Sequence, residues 1–318
     1  MQIGKLEIKG RLFLAPMSNV TNLPFRLLCK RYGAAMVYSE MINADAFIME
    51  SNKTLRRAYF IDEERPVGIQ LSGSGVEKLE IAIKKAEREL KPDLIDINLG
   101  CPAYSVMKNG CGASLLNDPE KVKDIVSRLS AAVQIPLTCK IRILPSVQKT
   151  IEIARIIEKS GAQALTVHGR TAKQGYSGKA DWNTIKKIRE SIGIPLILNG
   201  DVMDEKSAET ALSTGCDALM IGRAAIGNPY VFKMVNSYLD SGIPASRQSI
   251  MEKAGDFAEY VNFCVKYNYK NIASIKMQAH NFIKGYKAAS AIREKISKCE
   301  TVDSILDLAH AYFYGMDA

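Results

Sequence analysis

Two apolar runs in this chain lead directly into reactive side chains. Asp-Ile-Asn-Leu-Gly-Cys-Pro at positions 96–102 sets Cys101 just past a strand-like segment, and Ala-Leu-Thr-Val-His-Gly-Arg-Thr at 164–171 does the same for His168. Parallel α/β architectures collect their chemistry at the carboxyl ends of strands, so Cys101 and His168 are expected to face one shared pocket. A free thiol titrates near ~8.5 and is mostly protonated at neutral pH, so Cys101 can serve as a proton donor without the activation a thiolate nucleophile needs. Pro102 stiffens the loop that presents it. Cys139 and Cys216 lie within apolar strand segments and read as structural, and Cys111, farther along the Cys101 loop, reads as a packing residue.

The elements that must position these groups repeat as apolar strand, loop and amphipathic helix. Strands are expected at Leu12–Met17, Ala35–Glu40, Val67–Leu71, Leu94–Asn98, Leu137–Ile141, Ala164–Val167, Pro195–Asn199 and Ala218–Ile221. Helical stretches fall near Pro24–Arg31 and at Val76–Leu90, Pro119–Ala132, Val147–Lys159, Trp182–Ser191 and Asp204–Thr214, separated by breaks bearing Gly or Pro. Continuously apolar strands alternating with helices imply a parallel sheet covered on both faces. Eight such units in about 240 residues match a closed (β/α)8 TIM barrel, with an open doubly wound sheet as the competing arrangement.

After Tyr238 the segment Leu-Asp-Ser-Gly-Ile-Pro-Ala-Ser interrupts the pattern, and no further strand follows. Helical periodicity at Ser249–Tyr267, Ile272–Gly285, Ala289–Lys298 and Val302–Tyr314 predicts a small all-α bundle, which divides the chain into residues 1–240 and 241–318. Between Lys266 and Lys298, eight basic residues meet only Glu294 as an opposing charge, with Tyr267, Tyr269, Phe282 and Tyr286 interleaved. Lysines against phosphates and aromatics against bases make an RNA platform, although solvated lysines over core aromatics produce the same pattern.

The chain of 318 residues is 47% hydrophobic and carries a formal charge of +9, enough to build a full core and to favour polyanions. Four acid-free segments that follow successive strands (51–58, 101–117, 140–151 and 168–180) would share one barrel rim and make its mouth basic. The seven cysteines show neither zinc spacing nor an even count, pointing to a reducing cytoplasm. No uncharged span long enough for a bilayer is present, and no protein partner is implied.

Asn199-Gly200-Asp201 ends the seventh strand and Gly222-Arg223 the eighth, where barrels commonly hold a phosphate against backbone amides. Gln70 at the third strand can hydrogen-bond an amide-rich ring, and Lys140 offers a cation to a ring that carries negative charge. These are contacts suited to a flavin.

At this point the chain resembles the tRNA-dihydrouridine synthase family. The resemblance rests on Ala-Pro-Met-Ser (15–18) with Thr21 and Pro24-Phe25-Arg26, Ser-Glu-Met (39–41), Gly-Ile-Gln (68–70), Asp-Ile-Asn-Leu-Gly-Cys-Pro (96–102), Lys-Ile-Arg (140–142), His-Gly-Arg-Thr (168–171), Asn-Gly-Asp (199–201) and Ile-Gly-Arg (221–223). It implies FMN held by Pro16, Met17, Ser18, Gln70, Lys140, His168, Asn199, Gly200, Asp201, Gly222 and Arg223, with NADPH as reductant and a carboxyl-terminal helical domain that grips tRNA. It also implies that Asn98 reads the uracil edge. The chain departs from the pattern at Leu144, where many relatives carry glycine, and matches more weakly toward its carboxyl terminus.

The implied reaction gives hydride to C6 of a uracil and a proton from Cys101 to C5. Lys140 and His168 would stabilise developing negative charge, while Arg142 and Arg170 would bind either the uridine phosphate or acids within the fold. A target uridine would have to leave its stack to reach the site. Two other readings use parts of the same residues: a dihydroorotate-dehydrogenase-like flavoenzyme acting on a free pyrimidine, and an RNA-binding module without redox chemistry.

Overall fold

In the computed structural model, which describes residues 1–317, eight parallel strands form a ring. They are β1 (Leu12–Leu14), β2 (Val37–Tyr38), β3 (Val67–Ser72), β4 (Leu94–Leu99), β5 (Leu137–Arg142), β6 (Leu165–His168), β7 (Leu196–Asn199) and β8 (Ala218–Ile221). Their neighbours follow chain order, a ninth short strand, Ile42–Asn43, pairs parallel to the end of β3, and β8 returns to β1 with Ile221 opposite Leu14. Between β1 and β2 the ring closes through a parallel bridge from Phe13 to Met36, with the Leu14 amide donating to the Met36 carbonyl at 2.8 Å. That closure excludes the open doubly wound sheet.

The strand sequences explain their burial. β3 and β4 are buried at every position because one face packs inside the barrel and the other under helices. An amino-terminal hairpin, Gln2–Ile3 with Leu6–Glu7, contributes Ile3 and Ile8 to a small apolar cluster with Phe13, Met36, Leu94, Ile197 and Met220. This cluster fills the barrel interior and is distinct from the larger core under the surrounding helices. Polar side chains begin where it ends.

Helices start where the sequence supplies a capping oxygen. Asn22, Asp118, Ser146, Asp181 and Asp204 each accept from a backbone amide at the first turn of the helix that follows. The observed Pro119–Ala132 and Val147–Lys159 match expectation residue for residue, whereas Val76–Lys85 continues as a wider-turn segment, Ala86–Leu90.

Three differences from the sequence reading are instructive. β1 stops at Leu14 because the chain turns out of the sheet before Pro16, a residue with no amide to donate. The basic segment 51–58 is helical over Asn52–Ala58, and its Arg57 lies 3.4 Å from Glu40, so one of its three cations is paired with an acid. A further helix, Val231–Ser241, follows β8 and ends on left-handed Gly242.

Beyond it, Ile250–Lys266, Ile272–Ile283, Ala289–Lys298 and Val302–Asp317 form the expected helical bundle. Phe257, Tyr260, Ile275, Phe282, Ile305 and Phe313 are its buried core. The bundle joins the barrel through polar contacts: Asn22 Nδ2 donates to the Tyr260 hydroxyl at 3.1 Å, and the Tyr32 hydroxyl to Asp256 at 2.5 Å. Gly227 (φ +67°) lies so close to the backbone at Asn281 that a Cβ would fall 2.3 Å from its carbonyl carbon, so only glycine permits this approach.

Candidate active site

Strand register brings the chemistry-bearing residues into rows at the carboxyl ends. Gln70 stands opposite Asp96 and Asp96 opposite Thr138, while Asn98 faces Lys140. Arg142 faces His168, and His168 faces Asn199. Residues scattered over 130 positions of sequence thus become neighbours by the spacing of a sheet, about 4.8 Å per strand.

Side-chain hydrogen bonds then lock the rows. Gln70 Nε2 donates to Asp96 at 2.7 Å, Thr138 donates to the other Asp96 oxygen at 2.7 Å, and Asn98 Nδ2 donates to Gln70 Oε1 at 2.9 Å. Asn98 Oδ1 accepts from the Cys101 amide at 2.9 Å and from Gly100 at 3.2 Å, so the amide side chain holds the loop carrying the thiol. Lys140 Nζ donates to Asn199 Oδ1 at 2.9 Å, and Asn199 Nδ2 to the Met220 carbonyl at 2.8 Å. Every polar end in this chain has a partner, which fixes rotamers that would otherwise be free.

The electrostatics follow from burial and crowded cations. Desolvation and the nearby Arg142 charge lower the Lys140 ammonium to about 8, against the opposing pull of Asp96 and Cys101. Burial, reinforced by Lys140, Arg142, Arg170 and Arg223, drives His168 down to about 2, so its imidazole is neutral at any working pH. Burial raises the Asp96 carboxyl, while hydrogen bonds from Gln70 and Thr138 hold it back. Lys140 is therefore one of several cations of the site and His168 a neutral hydrogen-bonding ring. Arg142 Nε donates to the carbonyl of Gly100 and Lys140 stands opposite Asn98 in the register, which brings the loop carrying Cys101 next to both.

The two arginines act within the fold. Arg142 donates to the carbonyls of Gly100 (2.9 Å), Thr171 (3.1 Å) and Gly175 (2.8 Å), tying the loops after β4 and β6 together. Arg170 pairs with Asp201 at 2.8 Å and bonds the Ser177 and Gly178 carbonyls, but its buried Nη1 has no partner among the described residues. Asp201, in left-handed conformation (φ 58°), also lies 3.3 Å from Arg223. Gly200 has φ +113° and sits so near His168 that a Cβ would fall 2.8 Å from its ring. Pro16 and Met17 are half-buried, Ser18 is exposed, and the Met17 sulfur lies 3.6 Å from the Cβ position of Gly222, so the loops after β1 and β8 meet.

Tyr176 belongs to none of the motifs that mark the other site residues in the sequence. Its ring is 62% exposed at this mouth, with the Arg223 and Arg142 guanidinium carbons 5.0 and 5.7 Å from its centroid and His168 at 6.4 Å. Its position between Gly175 and Gly178, in an acid-free stretch after His168, was the available signal. Thr138, which fixes Asp96, gave none, because an isolated threonine in a strand is ordinary.

A closed parallel barrel with a thiol, an amine and an imidazole at its carboxyl-terminal mouth defines a barrel enzyme. A family model described as dihydrouridine synthase matches residues 13–313, and the chain belongs to that family. It is 36% identical to tRNA-dihydrouridine synthase B of Proteus vulgaris over 322 residues, covering 98% of each chain. It is 40% identical to the proteins of the same name from Klebsiella pneumoniae and Escherichia coli K12 over 245 residues, or 76% of each chain. Among solved structures, the Amycolatopsis orientalis BexX/CysO complex contains a chain aligned with a TM-score of 0.51 at 17% identity, spanning 78% of this chain and 98% of its own; that likeness concerns the fold alone.

Proposed function

We propose that this enzyme reduces specific uridines in tRNA to 5,6-dihydrouridine, with FMN as its cofactor and NADPH as the reductant. The observation that carries this reading is Cys101, held through its own amide by Asn98, the register neighbour of Lys140, at the mouth of a barrel of the dihydrouridine synthase family. The relatives named above carry tRNA in their names, and the basic composition suits a polyanionic substrate.

The mouth fits a phosphate-bearing flavin. Gly200 packs its backbone directly against the His168 ring and Ala180, and Arg223 is only loosely engaged by Asp201 at 3.3 Å. The buried Arg170 Nη1 has no acceptor among the described residues. Pro16, Met17, Ser18, Gln70, Lys140, His168, Asn199, Gly200, Asp201, Gly222 and Arg223 would hold the group, and when bound it supplies the hydride delivered to C6 of the uracil.

The protein's own part is proton handling and charge. Cys101 gives its thiol proton to C5 as the substrate's enolate collapses, and the thiolate left behind is reprotonated from solvent. Lys140 stabilises the transient negative charge, while neutral His168 donates or accepts one hydrogen bond. Asn98 meets the uracil edge by exchanging its present bond to Gln70 for one to substrate. Arg142 and Arg170 hold the surrounding loops, Arg142 through the Gly175 carbonyl and Arg170 through Asp201 and the Gly178 carbonyl. Residues 1–240 form the catalytic unit, 241–318 the tRNA-gripping unit, and the site of action is the cytoplasm. No described helix is long and apolar enough to cross a membrane.

An anaerobic spectrum tests this reading. NADPH should bleach the flavin absorbance of the FMN-loaded protein, and unmodified tRNA should restore it. Bleaching that no tRNA reverses would remove RNA as the substrate.

A further inference from the structure

An open concavity of about 380 Å³, lined by none of the residues of the Cys101 mouth, lies where the loop after β8 meets the helical bundle. Its walls include Arg247, Lys253, Lys284, Tyr230, Tyr286 and Asn281, and no acidic residue lines it. None of the three cations has an ion-pair partner among the described residues. Lys253 is half-buried, its Nζ 5.0 Å from the Tyr286 centroid, and burial lowers its pKa although Asp256 opposes the shift.

The surroundings hold these groups in place. The Tyr230 hydroxyl donates to the Ser246 carbonyl at 2.9 Å, and Tyr230 meets Tyr32 edge-on at 5.4 Å. Gln248 Nε2 donates to Asp256 at 2.6 Å, fixing the segment that carries Arg247. The close approach of Gly227 to Asn281 pins the opposite wall. A partly desolvated, unpaired ammonium costs the fold stability, and an incoming anion offsets that cost.

We infer that this junction is a second nucleic-acid contact, a niche that receives one nucleotide of the bound tRNA, its phosphate between Lys253, Arg247 and Lys284 and its base against Tyr286. The inference rests on the functional reading above and extends it from the reacting uridine to another nucleotide of the same RNA. The volume suits a single nucleotide, and cations mixed with aromatic rings and side-chain amides favour a nucleotide over a bare phosphate. The site would act as a ruler, coupling the position of one nucleotide to the placement of another at Cys101.

The test is fluorescence anisotropy of labelled, unmodified tRNA with the full FMN-loaded protein, without reductant, across a salt series. Lys253→Met with Lys284→Ala is expected to weaken binding by about tenfold and to flatten the dependence of log Kd on log salt by about one to two, with the KM for NADPH unchanged. Tyr286→Ala should weaken binding without altering the salt slope, since stacking is not ionic. Thermal melts of each variant establish that it is folded. Equal tRNA affinity in wild type and folded variants overturns the niche alone. A raised KM for NADPH with tRNA binding intact also overturns it, giving the niche to the dinucleotide. Wild type that binds no tRNA overturns the functional reading and the niche together.

Discussion

The barrel mouth and the carboxyl-terminal helices use polar residues in opposite ways. At the mouth, Asp96, Gln70 and Asn98 form one hydrogen-bonded set and Lys140 and Asn199 another, with side-chain bonds of 2.7–2.9 Å, and nearly all are buried. In the helices, Lys298 pairs with Glu294 at 2.8 Å, but both side chains are more than 70% exposed, and Lys295 and Lys270 have no ion pair among the described residues. Proton and hydride transfer need atoms fixed within fractions of an ångström, whereas a grip on polyanionic backbone tolerates mobile charge. Substitutions in the first region should therefore act on the rate, and in the second on affinity and its salt dependence.

The sharpest way to break that contrast is Cys101→Ala. Dihydrouridine formation should fall by about 10²–10⁴-fold, the usual weight of a positioned acid, with flavin content and tRNA affinity retained. Single-turnover kinetics would show it, and a large loss of affinity instead would place Cys101 in binding.

Lys140→Met should lower the rate by about 10²-fold, and it carries a pH signature. Because burial brings Lys140 to about 8, its positive charge is present below that pH, so FMN affinity should weaken as pH rises through it. Stability of the cofactor-free protein should run the other way. Between about 8 and ~10.5 the unfolded chain still holds the Lys140 proton and the folded chain does not, so stability rises with pH there. The variant should lose this rise and be more stable than wild type at neutral pH, by about 1–3 kcal/mol. FMN fluorescence titration and melts at several pH values measure both.

The joint between the regions gives an intermediate effect. Asp256→Ala removes the acceptor shared by Tyr32 and Gln248 and should cost about 1–3 kcal/mol, with the helical bundle melting ahead of the barrel in calorimetry. The smallest effect belongs to Lys298→Ala: under about 0.5 kcal/mol of stability and a few-fold in tRNA affinity, read by melts and anisotropy.

The same contrast governs how much the sequence revealed. All eight barrel strands were legible because each is a short apolar run bounded by Gly, Pro or a capping residue, and helices such as Pro119–Ala132 carry both a cap and an amphipathic face. Val231–Ser241 escaped because Val, Phe and Tyr fill it without a side-chain cap, a composition closer to a strand. Positions 51–58 looked like an exposed basic loop, yet Arg56 stacks 4.6 Å over Tyr269 and Arg57 answers Glu40. Such partners lie hundreds of positions away or on another element, and no local pattern announces them. At the site, motifs gave the residues but not their connections: that Asn98 holds the Cys101 amide, or that Arg142 ties two loops together, follows only from register and chain path.

The most direct test of the central claim is mass spectrometry of unmodified tRNA after incubation with the protein, FMN and NADPH, wild type beside Cys101→Ala. The account predicts a gain of two hydrogens at a defined uridine with wild type, abolished or strongly reduced in the variant. No gain with any tRNA would contradict the assignment of this enzyme to uridine reduction in tRNA, and an equal gain from both proteins would contradict Cys101 as the acid.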